Sequence, residues 1–316
     1  MSRDPHPLPN RIRVGISACL LGDEVRYDGG HKRDAFLTKG LGPLVEWVKV
    51  CPEVEVGMGT PRESIRLIEE RGTIRLLTVR TGIDHTASMA AYSAKRVRAL
   101  EHEDLCGYVL KKDSPSCGMT RVKVYTENGP GTRTGVGLFA RALLERFPHL
   151  PVEEEGRLND PWLRDNFVER VFAYRRLRDL FESRWTVGAL VRFHTAHKLV
   201  LLSHSTQAYT QLGRLVAGAK AADRALLRAA YTAGFMDALT LIATAKRHTN
   251  VLQHMAGYFK KSLDDDSRAE LGGAIEDFRL GRVALAVPLT LLRHHVRVHK
   301  VEYLAGQVYL APKPNL

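Results

Sequence analysis

The chain has 316 residues, 44% of them hydrophobic and 26% charged, with 47 Lys and Arg against 35 Asp and Glu for a net charge of +12. That length suits two domains rather than one. Four cysteines in so long a chain, with no secretory leader in view, exclude a disulfide scaffold and predict reduced thiols in a soluble, cytoplasmic protein with no membrane partner and no obligate protein partner.

Residues 12–17 (Ile-Arg-Val-Gly-Ile-Ser) alternate like a first strand and run into Ser17-Ala18-Cys19-Leu20-Leu21-Gly22. A second thiol follows in Cys51-Pro52-Glu53, read as a turn at the start of a strand. Residues 74–79, 105–111 and 122–126 have strand character, and Cys106 lies inside the second of these runs as a small core hydrophobe. Between them, 84–103 reads as a helix capped by Asp84, and 136–147 as another ending at Pro148. Cys117 sits in Lys112-Asp113-Ser114-Pro115-Ser116-Cys117-Gly118, a segment built to turn rather than to pack. Strands alternating with helices predict an α/β N-terminal domain with a mostly parallel, Rossmann-like sheet and ligands beyond the carboxyl ends of its strands.

The acidic run Glu153-Glu154-Glu155 followed by Asn159-Asp160-Pro161 is read as the end of this domain. From Trp162 the period becomes helical, with an amphipathic segment through Phe167, Val171 and Phe172. Helical runs over Val191–Gly213, Ala221–Met236 and Asp237–Lys261 follow, and Pro288 is expected to break the last part. The expected organisation is therefore residues 1–160 as the catalytic domain, 161–184 as a helical linker and 185–316 as an all-α, basic domain.

Cys19, Cys51 and Cys117 share a setting, each where a run gives way to turn residues, so one sheet edge can gather all three thiols. No Cys-x-x-Cys is present, which disfavours a structural zinc site. Soft thiolates select zinc, copper or iron–sulfur clusters, and three protein ligands leave a position open for substrate.

These three signatures, with Arg26-Tyr27-Asp28-Gly29 and Gly57-Met58-Gly59-Thr60-Pro61-Arg62 between them, resemble the thiouracil desulfidase (TudS-like) family, and the remainder resembles the helical YbgA-like domain often joined to it. The second likeness rests on a looser pattern around Phe193-His194-Thr195-Ala196-His197-Lys198. The resemblance implies a 4Fe-4S cluster held by Cys19, Cys51 and Cys117, with one iron left open for the sulfur of a thiocarbonyl base. It also implies catalytic roles for Glu53 and Ser114. The fusion of the two domains is similar to desulfidases that act on 4-thiouridine in tRNA, so the implied reaction gives uridine and hydrogen sulfide from a thiolated nucleobase, nucleotide or tRNA.

The residue types suit that chemistry. A Lewis-acidic iron binds soft thiocarbonyl sulfur and polarises C=S, water attacks the same carbon, and a carboxylate near a cluster ligand serves as general base. Glu53 is that candidate. Ser114, three residues before another ligand, is placed to orient the base or relay a proton. Lys112 and Asp113 are weaker candidates, Gly57–Arg62 is a candidate phosphate cradle, and Arg26, Tyr27, Asp28 and His31 are candidate pocket residues. Two other readings use the same residues: sulfur insertion into tRNA, for which no pyrophosphate-binding loop is evident, and a redox-sensing nucleic-acid-binding protein without catalysis.

Charge is uneven. Residues 191–260 carry nine Lys and Arg against two acids, whereas 1–150 carry 23 against 18. A basic helical surface favours phosphate backbones, RNA first. Lys198, Arg214, Lys246, Arg247, Lys260 and Lys261 are the candidate contacts, and Tyr209, Tyr258 and Phe259 the candidate stacking rings. His194 and His197 lie three apart with no carboxylate nearby, a pattern that fits helix packing or RNA contact better than a second metal site.

Overall fold

The computed structural model describes residues 12–126, 129–182 and 184–313, which fall into two compact units meeting at Val171/Phe172. In the first unit, β1 (Ile12–Ser17) is the inner strand between β2 (Val45–Val50) and β5 (Leu105–Leu110), and β8 (Val152–Glu154) completes a fully parallel sheet of order β2-β1-β5-β8. Every residue of β5 is buried, as an inner parallel strand covered on both faces requires. The Tyr108 ring of β5 lies over Gly15 of β1 because Gly15 has no Cβ. An added one would stand 2.2 Å from the Tyr108 ring.

Short α1 (Pro52–Glu55) follows β2, and a hairpin of β3 (Ile65–Glu70) and β4 (Thr73–Thr78) comes next. Its two-residue turn, Arg71-Gly72, has positive φ at both positions (50° and 77°), the hand that matches strand twist. With β6 (Val122–Thr126) and β7 (Gly129–Gly135) this hairpin makes a second, mixed sheet of order β4-β3-β6-β7. Two of the four strands read from sequence thus lie outside the parallel sheet. That second sheet has its own small core of Leu67, Leu76, Met89, Val122 and Val124.

Between the strands run α2 (Thr86–Leu100) and α3 (Leu138–Arg146). Asp84 is not the cap of α2. It lies one residue before His85, the cap, and its carboxylate accepts from Thr86 N–H at 2.8 Å while pairing with Arg75. The acidic run read as the end of the domain is buried. Glu153 and Glu154 belong to β8, and Glu153, Glu154 and Glu155 are all buried, because each carboxylate is taken up by a backbone amide or a cation.

α4 (Pro161–Glu182) is continuous across the division, so Val171 packs against Gly107 of β5 while Leu177 and Phe181 belong to the helical core. The helical unit continues with α5 (Val187–Ala196), α6 (Lys198–His204), α7 (Thr206–Ala217), α8 (Arg224–Thr240), α9 (Ala245–Ala256), α10 (Asp265–Arg279), α11 (Ala286–Val298) and α12 (Glu302–Ala305). The run expected over Val191–Gly213 is three helices, because Ser205 caps α7 through its side chain and His197 ends α5. The run expected from Asp237 is split as well. α8 extends to Thr240, and α9 opens at a Thr244 cap. Pro288 does not interrupt a helix. It stands in the first turn of α11, where its missing N–H has no intrahelical partner to lose. Among the described residues no single helix is long and apolar enough to cross a membrane.

Candidate metal centre

The site follows from the parallel sheet. Three adjacent strands, β2, β1 and β5, end side by side, and each releases one thiol: Cys51 directly after β2, Cys19 in the 3₁₀ turn Ala18–Leu21 after β1, and Cys117 in the loop after β5. All three line one cavity of about 590 Å³. Among the described residues no fourth cysteine and no histidine lines it, and Cys106 is fully buried in β5 away from it.

Each thiol is held by its own device. Cys51 is the N-cap of α1, its N–H donating to the Glu55 carboxylate at 3.0 Å. Glu55 in turn accepts from the Tyr92 hydroxyl at 2.7 Å on α2. The turn after Cys19 closes on Gly22 at φ 104°, and the Cys19 carbonyl accepts from Lys32 N–H at 2.9 Å. The Cys117 loop hangs on the start of α3, whose Leu138 and Ala140 N–H groups donate to the Pro115 and Ser116 carbonyls at 3.2 and 3.1 Å. On its other side Glu154 accepts from the Met119 N–H at 2.8 Å and the Thr120 N–H at 3.4 Å, and Glu155 accepts from the Lys112 N–H at 2.7 Å while pairing with the Lys111 ammonium.

Glu53 is buried among the thiols. Its carboxylate lies 3.6 Å from the Cys51 sulfur and 3.4 Å from the Ser114 hydroxyl, with the Arg62 guanidinium 3.9 Å away. Ser114 Oγ accepts from both the Ser116 and Cys117 N–H groups, at 3.2 and 3.0 Å. With its lone pairs so occupied, the hydroxyl proton is directed at Glu53.

Burial and the neighbouring Glu53 charge favour the protonated thiols: Cys19 is raised to about 11, Cys51 to about 12, and Cys117 well above the usual thiol range. A cationic guest offsets that cost, and its binding releases the thiol protons. Among the described residues no three His, Cys, Asp or Glu side chains stand close enough together to hold one ion. Three soft thiol donors lining one cavity are a donor set that suits an iron–sulfur cluster.

Other expected residues separate. Arg26, Tyr27, Lys112 and Asp113 line the cavity, whereas Asp28 holds its own turn through Gly30 N–H, and His31 Nδ1 accepts from Arg33 N–H. Gly57 and Gly59 do not line it. The Arg62 guanidinium is spent on the Val25 and Gly59 carbonyls at 2.9 and 3.0 Å and on Glu53, so it orients the carboxylate instead of cradling a phosphate. Lys32, Arg66, Lys112 and Lys123 also face the cavity, and among the described residues they have no carboxylate partner.

In the helical unit, Lys246, Lys260 and Lys261 are exposed, as is Arg214, while Lys198 and Arg247 are half-buried. Phe259 is fully buried and cannot stack on a base. His194 is a core residue, its Nδ1 3.0 Å from the Tyr231 hydroxyl, and burial pulls its pKa down. His197 Nδ1 bonds the Phe193 carbonyl at 2.8 Å. The two histidines pack within the helical unit.

Glu154 and Glu155 were not foreseen as site residues. Three consecutive glutamates at a domain end carry no local sign of burial, and only the need for a strand after the α3 crossover hinted at one. Glu154→Ala leaves the Met119 and Thr120 N–H groups unsatisfied, a loss of about 1–3 kcal/mol beside Cys117. Reduced iron loading is the expected result. Glu154→Gln keeps an acceptor oxygen, and because burial already raises the Glu154 pKa, it should load as the parent does. Equal iron content in parent and Ala forms would remove this role.

Fold and pocket together define an α/β protein with three thiols released from adjacent parallel strands around a carboxylate–hydroxyl pair. The chain belongs to the 2-thiouracil desulfurase family, which matches residues 14–155; residues 198–314 match a family described as a protein of unknown function (DUF1722). It is 33% identical over 155 residues to uncharacterized protein YbgA of Escherichia coli (strain K12), covering 48% of this chain and 90% of that protein. It is likewise 33% identical over 151 residues to uncharacterized protein YbbK of Bacillus subtilis (strain 168), covering 46% of this chain and 97% of that one. Among solved structures, the 4Fe-4S-dependent thiouracil desulfidase TudS aligns with a TM-score of 0.40 and 29% identity, over 50% of this chain and 100% of its own.

Proposed function

We propose that the chain is a 4Fe-4S-dependent desulfidase that converts a thiolated pyrimidine, foremost 4-thiouridine within tRNA, to the oxygen compound with release of hydrogen sulfide. The observation that carries this reading is the meeting of Cys19, Cys51 and Cys117 with Glu53 and Ser114 at one cavity. The three cysteines would hold the cluster. When bound, it supplies a soft Lewis acid for the thiocarbonyl sulfur.

The chain's own groups do the rest. The Glu53 carboxylate accepts a proton from the attacking water, and Ser114, whose O–H already points to Glu53 Oε1, passes or holds that proton beside it. Arg62 keeps the carboxylate turned inward. Tyr27 and Tyr125 offer ring faces at the cavity wall for a pyrimidine, and Lys32, Arg66, Lys112 and Lys123 supply positive charge for its phosphates. The balance is a thione plus water giving a carbonyl plus hydrogen sulfide, with no electrons exchanged.

The tRNA part is supported by charge. From residue 183 to 222, and again from 238 to 263, the helical half contains no Asp or Glu. We assign catalysis to residues 1–160 and RNA binding to 185–316, with Lys198, Arg214, Lys246 and Arg247 as phosphate contacts. Lys260 and Lys261 contribute less, because Asp264, Asp265 and Asp266 follow within a few residues.

The test is turnover of thiolated tRNA by the full chain reconstituted with iron and sulfide under anaerobic conditions, without ATP. Loss of the thiocarbonyl absorbance with release of sulfide is expected. Persistence of that absorbance on tRNA, nucleotide and free base alike would end this reading, and a requirement for ATP would favour sulfur insertion.

A further inference from the structure

The helical unit carries an aromatic step that its core does not need. Tyr258 lies just after α9 and is 43% exposed, although it is a large ring. One face rests on Tyr303 of α12, with centroids 5.3 Å apart and planes 19° from parallel, and His254 meets its ring edge-on at 5.6 Å. Tyr303 itself packs on the helical core, so it is a fixed base for the outer ring. The Lys198 ammonium lies within electrostatic reach of Tyr258, and Tyr209 within reach of Tyr303. The segment carrying Tyr258 and the one carrying Lys198 are the two acid-free runs, 238–263 and 183–222. Exposed Lys246, Asn250, Gln253 and His254 extend the same α9 segment towards its N-terminus.

We infer that Tyr258, backed by Tyr303 and flanked by His254 and Lys198, is a stacking platform for an unpaired base of the RNA substrate. The inference rests on the proposed tRNA reading and deepens it by locating where the helical half engages a single-stranded loop. The physical case is that a ring held flat on a second ring loses little freedom when a base lands on it. A neighbouring ammonium serves the adjoining phosphate. No sequence code is implied, since every base has a stacking face.

The test measures binding of an unmodified tRNA to the full chain by fluorescence anisotropy over a salt series, with poly(U) and an RNA duplex as competitors, alongside desulfuration of free thiouracil. Tyr258→Ala should weaken tRNA binding about tenfold, and Tyr258→Phe should retain it. Lys198→Ala should lower the salt slope by about one. Poly(U) should compete better than duplex, and free-base turnover should stay at the parent level in Tyr258→Ala. If the parent binds tRNA and Tyr258→Ala binds it equally well, the platform is refuted while the tRNA reading stands. If the parent binds neither tRNA nor poly(U), both fall. Equal loss of free-base turnover in Tyr258→Ala, or stronger competition by duplex, also overturns the platform.

Discussion

Glu53→Gln is expected to lower desulfuration by about 10²–10⁴-fold while leaving iron and sulfide content unchanged. The substitution is nearly isosteric. Its amide oxygen can still accept from the Ser114 hydroxyl, now 3.4 Å from the carboxylate, and the three thiols are untouched. What disappears is the capacity to take a proton from water at a buried carboxylate that lies beside both Cys51 and Ser114. Turnover of a thiolated base, with iron quantified in the same preparation, reads the two effects separately. A variant that loses iron would recast Glu53 as a structural or ligating group. One that keeps both iron and full turnover would move the proton chemistry elsewhere and reopen the sensor reading, in which the cluster controls RNA binding without catalysis.

The second large effect is expected from Cys117→Ala. It removes one of three thiols around the cavity, and iron and labile sulfide should drop to background together with all desulfuration. Cys106→Ala is the internal control. Cys106 is as deeply buried, but it lies within β5 and does not line this cavity, so its loss should cost about 1 kcal/mol of stability and leave cluster and activity in place. Similar melting temperatures for the two variants would show that the difference is chemical rather than a failure to fold. Parent-level iron in Cys117→Ala would remove the premise of a three-thiolate centre.

Much of the α/β half was legible because its signals are local. An alternating run before Cys19 and an apolar run before the Cys117 loop are β1 and β5, and turn residues after each thiol mark where the chain leaves the sheet. β2 is legible only as an unbounded run before Cys51, because Val45–Val50 places Glu46, Trp47 and Lys49 on a half-exposed edge strand whose composition looks unlike the buried β5. The mixed sheet was missed for a different reason. Hairpins announce pairing with their neighbours but not which sheet they join, and the parallel β3–β6 pairing links residues more than fifty positions apart. In the helical half, the period of apolar residues continues across Ser205 and Thr244, so hydrophobic patterning alone could not place caps that end one helix and start another.

The sequence by itself determined the chemistry available: three thiols in three turns, a carboxylate two residues after one, a hydroxyl three residues before another, and a basic second half. Those are properties of residue type and spacing, which need no fold to be read. Only the tertiary structure decided that the thiols line one cavity, that Arg62 serves Glu53 rather than a phosphate, and that buried Glu154 and Glu155 hold the Cys117 loop and its lysines. The physical reason is that burial and pairing are set by strands distant in sequence. β8 turns an acidic run into a buried support by bringing amides and ammonium groups to it that no local pattern contains.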